Sequence, residues 1–350
     1  MNYIISSNTL IKGCNIVKSK KRKDQQMQKR KGKRTYIIVG VLTLLVVTVW
    51  MNNTSLFYSK DTNYKILAHR GLAQTFDISK VEYDTNTAEI IYPPEHPYLE
   101  NTMPSMKAAF DNGADVVELD IKLTKDHQLA VFHDFALEYR TNGKGEVKDY
   151  LMNELKKLDV GYRYTADNGE SYPFRGKGIG MMPSLDEVFA AFPNKEFLIH
   201  DKDGDMETTK VLWDSYLSKM SKKQLDKITV YGDGDSEGFD YLRSKHAELK
   251  LLTKTMMINA LLKYELLGWT GYIPKELHNM ELHLPLKYAK YLWGWPNKFI
   301  DRMESVNTRV VIVEGNGKWS EGFDTKESLE KIPEGYQGYI WTNRVDKVTK

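Results

Sequence analysis

From Tyr64 onward the chain repeats one pattern: a short apolar run, a polar break, then a stretch with helical spacing. The apolar runs are Tyr64–Ala68, Val116–Leu123, Leu129–Phe132, Phe197–Lys202, Ile228–Tyr231, Leu249–Leu252, Glu281–Leu286, Val310–Val313 and Gly338–Trp341. Each predicts a strand. Between them a helix opens near Thr102, capped by Asn101 or Thr102, with Met106, Ala109 and Phe110 as its apolar stripe and Asn112-Gly113 at its end. Further helices are expected at Tyr150–Leu158, at Ser184–Phe192 with Ser184 as cap, at Glu207–Met220 and at Ser236–Ala247. Strands alternating with helices predict βα units and a parallel sheet. Residues 64–350 suffice for a (β/α)8 barrel, which takes about 250.

Nine strand candidates compete for eight barrel places. The break Lys125–Gln128 is too short for a parallel crossover, which needs about 10–12 residues. Leu129–Phe132 is therefore expected to fold back as a hairpin arm and return His133 to the preceding strand. On that strand alternation puts Glu118, Asp120 and Lys122 on one face. Two carboxylates two residues apart sit about 7 Å apart along a strand, a spacing that suits one oxygen-loving cation. A carboxylate pair followed by a returned histidine is a candidate for acid–base chemistry on an anion.

Charge changes the picture at the N-terminus. Residues 1–34 hold eight lysines, three arginines and one acid, a net +10; with +3 overall, the rest carries −7. This basic tail meets Thr35–Met51, which has no charge and spans about 25 Å as a helix. That is slightly short of a bilayer core, but Trp50 and the basic flank anchor its ends. A buried core helix or a cleaved signal peptide has similar features, although no small-x-small cleavage site follows Trp50. We read Thr35–Met51 as a retained transmembrane signal anchor, residues 1–34 as cytoplasmic, 52–63 as a linker and 64–350 as an extracytoplasmic barrel domain. Cys14 is the only cysteine. The body therefore has no disulfide and no thiolate zinc site, as suits an exported bacterial protein. Beside a membrane span, the basic tail reads as facing lipid head groups, not nucleic acid.

Ala68-His69-Arg70-Gly71, Glu100-Asn101-Thr102, Glu118-x-Asp120 and His133-Asp134, in this order, resemble the glycerophosphodiester phosphodiesterase family. Pro183-Ser184-Leu185 leading into FLIHDK resembles the stretch before that family's fourth strand. The resemblance implies a TIM barrel that cleaves glycerophosphodiesters to glycerol 3-phosphate and an alcohol, using one divalent cation, Ca²⁺ or Mg²⁺. It implies His69 and His133 as the catalytic pair, Glu118 and Asp120 as metal ligands and Arg70 as a phosphate contact. It further implies that the substrate's own glycerol hydroxyl attacks, giving a cyclic phosphate that water opens. These residue types fit the chemistry: a guanidinium fork matches phosphate, and imidazoles titrate near neutrality. Lys202 keeps its family place and is a candidate substrate contact, as are Glu100, Glu314 and Trp341; for Glu100 a bland place beside a helix cap weighs equally.

One position departs from the family. Its fourth strand usually ends in Glu-x-Lys, the Glu being a third metal ligand; this chain has His200-Asp201-Lys202. Three readings follow: His200 ligates a softer cation such as Mn²⁺ or Zn²⁺, Asp201 or Asp203 replaces the missing ligand, or the site is weakened. Asp201-x-Asp203-Gly204-Asp205 is no EF-hand, because Met206 stands where that loop needs glycine. Gly176-x-Gly178-x-Gly180 has the wrong spacing for a dinucleotide fingerprint, and no P-loop, Gly-x-Ser-x-Gly or His-Glu-x-x-His occurs. His96, His127, His246, His278 and His283 carry no motif. Alternatives to the phosphodiesterase are a phospholipase D-like activity on the same barrel and a degenerate barrel that binds phosphorylated head groups or wall polymers without cleaving them. Nothing in the sequence sets an oligomeric state.

Overall fold

The computed structural model describes residues 7–232, 236–319 and 321–348 and divides into two units, Met1–Asn52 and Asn53–Lys350. The described part of the first is a single helix that runs Ser7–Asn53, its last residue belonging to the second unit, and its segment Lys20–Asn53 is long and apolar enough to cross a membrane.

The second unit is built on nine strands: β1 Lys65–Ala68, β2 Val116–Leu123, β3 Leu129–Val131, β4 Glu196–Asp201, β5 Ile228–Gly232, β6 Lys250–Leu252, β7 Glu281–Pro285, β8 Arg309–Val313 and β9 Tyr339–Thr342. Eight pair in parallel in the order β6-β5-β4-β2-β1-β9-β8-β7. The remaining seam, β6 to β7, is bridged at Leu251 and Met280, so the sheet is a nearly closed barrel. β3 pairs antiparallel with β2, Ile121 opposite Val131. The hairpin arm forms because Lys125–Gln128 can make only a tight turn, closed by Thr124 N–H donating to the Gln128 carbonyl at 2.9 Å.

The strands bury both faces. Leu67, Val116, Leu198, Val311, Val313 and Trp341 fill the barrel interior. Their neighbours along each strand, such as Ala68, Val117, Ile199 and Ile312, pack outward against the helices. Thr102 caps the helix Met103–Asp111, and Ser184 caps Leu185–Ala191. Elsewhere helical spacing is only partly realised. Tyr150–Leu158 shrinks to one turn, Met152–Leu155, and Glu207–Met220 widens after Val211 into a π turn, Leu212–Tyr216. Two helices carried no clear sequence signal, Lys254–Leu267 and Asn297–Glu304. The extension between β3 and β4 builds a small core of its own, including Leu137, Tyr164, Phe174 and Met182.

Candidate active site

The C-terminal ends of β1, β2 and β4 converge. Glu118 and Asp120 are 1% and 0% exposed and share the inward face of β2 with His200, which lies opposite Asp120 on β4. His200 Nδ1 lies 3.3 Å from Asp120 Oδ1 and 3.6 Å from Glu118 Oε1. One donor atom from each of the three lies within 4.8 Å of the others, the spacing of a cation cage. Apart from His200 Nδ1, the buried Asp120 Oδ1 has no donor beside it, so it has capacity to accept a cation. The donor set of two carboxylates and one imidazole fits a divalent cation. Asp201 and Asp203 face elsewhere. Asp201 accepts from Asp203 N–H, Gly204 N–H and Thr209 Oγ1, while Asp203 pairs with Lys122 at 2.7 Å.

Burial, and then the neighbouring Asp120, push the Glu118 carboxyl above its ordinary pKa. Burial opposes the charge on Asp120 too, but Arg70, His133 and His200 outweigh it and hold that carboxyl well below the usual range. Asp120 is also gripped by Asn101, whose amide donates to Oδ2 at 2.7 Å and accepts from the Asp120 backbone N–H.

Arg70 follows β1 in the left-handed region, φ 56°, and Gly71 continues it at φ 83°. That turn brings the Arg70 backbone N–H to Glu118 Oε2 at 3.1 Å, and puts the guanidinium between Asp120, 3.1 Å, and Glu100, 2.6 Å. Glu100 holds Arg140 with its other oxygen at 2.9 Å, and Arg140 grips Asp134. Glu100 thus ties two arginines together.

Each predicted histidine has a different second partner. His69 Nδ1 meets Asn343 Oδ1 at 2.7 Å, and Asn343 is fixed by donating its amide N–H to Asp324. Because that amide oxygen only accepts, the His69 proton sits on Nδ1 and Nε2 offers a lone pair, 3.9 Å from Glu118. His133 Nδ1 instead meets the Asp134 carboxylate at 2.9 Å. Burial, followed by Arg70, lowers the pKa of both imidazoles below the ordinary value, well below for His69. Asp134 pulls the other way on His133, and Lys202 adds to the lowering.

Trp341 lies inside the barrel, its ring 4.6 Å from His69 and 5.0 Å from His283, and Tyr231 stacks on His200 at 4.0 Å. Glu314 sits outside this cluster and pairs with Lys331. Sequence reasoning passed over Asn343, Asp324, Arg140 and Tyr231. Only Asn343 carried a signal, its place just after the last strand. His283, without a motif, proves to be an interior residue bonded to Glu281 at 2.7 Å.

A model of the glycerophosphoryl diester phosphodiesterase family matches residues 69–283. A glycerophosphodiester phosphodiesterase of Caldanaerobacter subterraneus is 45% identical over 101 residues, 29% of this chain and 38% of that protein. A lysophospholipase D of Mus musculus is 30% identical over 191 residues, 53% of this chain and 57% of its own length. The matched stretch therefore spans less than two thirds of either relative. The crystal structure of a glycerophosphodiester phosphodiesterase from Agrobacterium tumefaciens superposes with a TM-score of 0.51 over 81% of this chain and 97% of the other, at 19% identity.

Proposed function

The chain belongs to the glycerophosphoryl diester phosphodiesterase family, and from that premise we propose that it hydrolyses glycerophosphodiesters to glycerol 3-phosphate and an alcohol. The observation that carries this reading is the junction of Arg70, His69 and His133 with the buried trio Glu118, Asp120 and His200. Glu118, Asp120 and His200 are the residues to hold the divalent cation, which when bound neutralises charge gathering on the phosphate oxygens.

The chain's own groups divide the remaining work. Arg70, kept cationic by Asp120 and Glu100, presents its fork to the phosphate. His69 acts as base, because its tautomer leaves Nε2 free and its partner Asn343 is neutral. Its Nε2 takes the proton from the attacking hydroxyl as the new P–O bond forms. His133 acts as acid in its doubly protonated form, with Nδ1–H on Asp134 and a second proton on Nε2; Asp134 supports that charge against burial and Arg70, which favour the neutral ring. It gives its Nε2 proton to the leaving alkoxide as the old P–O bond breaks. When water opens the resulting phosphate diester, the two roles reverse. Asn101, Asn343, Asp324 and Arg140 hold these groups in place.

The apolar helix Lys20–Asn53 supports a membrane-anchored form with residues 1–34 cytoplasmic and the barrel outside. The activity reading is tested by assaying the full chain for release of glycerol 3-phosphate from glycerophosphocholine. Metal-dependent release lost in His69→Ala and His133→Ala supports it. Retained binding of the diester with no turnover under any divalent metal supports the degenerate barrel instead.

A further inference from the structure

The helix Lys254–Leu267 is apolar on two faces. Ala260 and Tyr264 are buried, and Met256, Met257 and Leu261 pack partly against the barrel core. On the outward side Ile258, Leu262 and Leu266 stand at successive i, i+4 positions, and Leu262 and Leu266 are 60% and 74% exposed. Thr255, Asn259 and Lys263 form an exposed polar stripe beside them, so the helix carries a second, outward apolar strip in addition to its buried face.

The apolar surface continues beyond the helix. Trp269 and Tyr272 follow it, Tyr291 and Trp293 lie after β7, and Leu56 and Phe57 stand exposed just after the start of the barrel unit. These stretches are joined by hydrogen bonds. Asn53 donates to the Trp269 carbonyl at 2.8 Å, Ser55 donates to the Gly294 carbonyl at 3.1 Å, and Trp293 Nε1 donates to the Glu265 carbonyl at 3.0 Å. Arg302 ties Asn53, Tyr264 and Gly268 together from behind. Most of the unit's large exposed hydrophobics fall in these stretches, so the patch is not the ordinary scatter of single apolar side chains.

Its chemistry points to one occupant. Tryptophan and tyrosine beside leucine is the composition that settles at the head-group level of a bilayer. Residues 254–298 hold six lysines against three acids, a local net +3 within a body that is otherwise acidic. That sign is complementary to anionic lipid. The unit's first residue, Asn53, also ends the helix long and apolar enough to span a membrane.

We propose that this face, formed by the outer side of Lys254–Leu267 with Leu56, Phe57, Trp269 and Trp293, seats the barrel on the surface of an anionic bilayer. The inference rests on reading Lys20–Asn53 as a membrane anchor.

The test uses the full chain carrying Cys14→Ser and one fluorophore-labelled cysteine, Leu266→Cys, reconstituted in phosphatidylcholine–phosphatidylglycerol vesicles. A probe at Lys157→Cys, on the exposed surface of the β3–β4 extension, is the control. Spin-labelled lipid is expected to quench the Leu266→Cys probe several-fold more than the control. Equal quenching at both sites in a chain that floats with the vesicles overturns this inference and leaves the anchor reading intact. A chain that does not float overturns both. Protection of Leu266→Cys from aqueous iodide that disappears as the protein is diluted among vesicles assigns the face to a second copy and also overturns the inference.

Discussion

His200 and Asp120 face each other in register on adjacent parallel strands, with His200 Nδ1 3.3 Å from Asp120 Oδ1. An imidazole thus completes a buried trio whose other two members are carboxylates. The consequences extend to the residues that hold the trio in place.

Asn101 meets Asp120 twice, through its amide N–H and its amide oxygen. Asn101→Ala removes one of two donors to Asp120 Oδ2 and leaves the Asp120 backbone N–H without its acceptor, so stability falls by about 1–3 kcal/mol. Loss of the oriented ligand also weakens metal affinity by roughly 10–100-fold. Urea unfolding and titration of activity with metal measure the two effects separately. Unchanged metal affinity would remove Asn101 from the supporting shell.

Arg140 lies buried between Asp134 and Glu100. Arg140→Met takes a cation from two buried carboxylates, leaving Glu100 with Arg70 alone and Asp134 with His133 alone, at a cost of up to about 3–5 kcal/mol, read as a fall in Tm. A Tm near that of the parent would show that those acids find other partners.

Gly71 sits at φ 83°, and a Cβ there would come within 2.6 Å of Ser105 Oγ and 2.7 Å of its backbone carbon. Gly71→Ala therefore strains the turn that aims Arg70. It is expected to cost about 1–3 kcal/mol and to raise KM for a phosphodiester. Equal KM in the two proteins would separate Arg70 from substrate binding.

His133 holds a pKa below 6.5, lowered first by burial and then by Arg70. The sign follows directly: a lowered pKa keeps the ring neutral as pH falls from about 6.5, while the unfolded chain takes up a proton there. Folding stability contributed by this ring is present above about pH 6.5 and is lost as pH falls towards the lowered value. Titration of the His133 ring by NMR, with His133→Gln to assign the signal, should give a midpoint below 6.5. A midpoint at or above 6.5 would contradict the burial argument.

The barrel was legible because its strands are fully buried and read as continuous apolar runs. The return of Leu129–Val131 was legible because four residues cannot make a parallel crossover. Lys254–Leu267 was not, since apolar residues stand on both its buried and its exposed sides and blur the 3.6-residue signal. The site divides the same way. Glu118, Asp120, His69 and His133 stand beside strands in motifs that local spacing reveals. Asn343 reaches His69 from the far end of the chain and is itself held by Asp324, and such contacts leave no local pattern. Sequence left three ways to read the His200 position. The fold brings His200 to the carboxylates and occupies Asp201 and Asp203 with other partners.

The most direct measurement takes the metal-stripped full chain and its His200→Glu variant. Glycerol 3-phosphate release is followed with Ca²⁺, Mg²⁺, Mn²⁺ or Zn²⁺ added in turn. If His200 is a ligand, the parent works best with Mn²⁺ or Zn²⁺, and His200→Glu shifts the preference towards Ca²⁺ or Mg²⁺. The same order of metals in both proteins would contradict that account and take His200 out of the metal site.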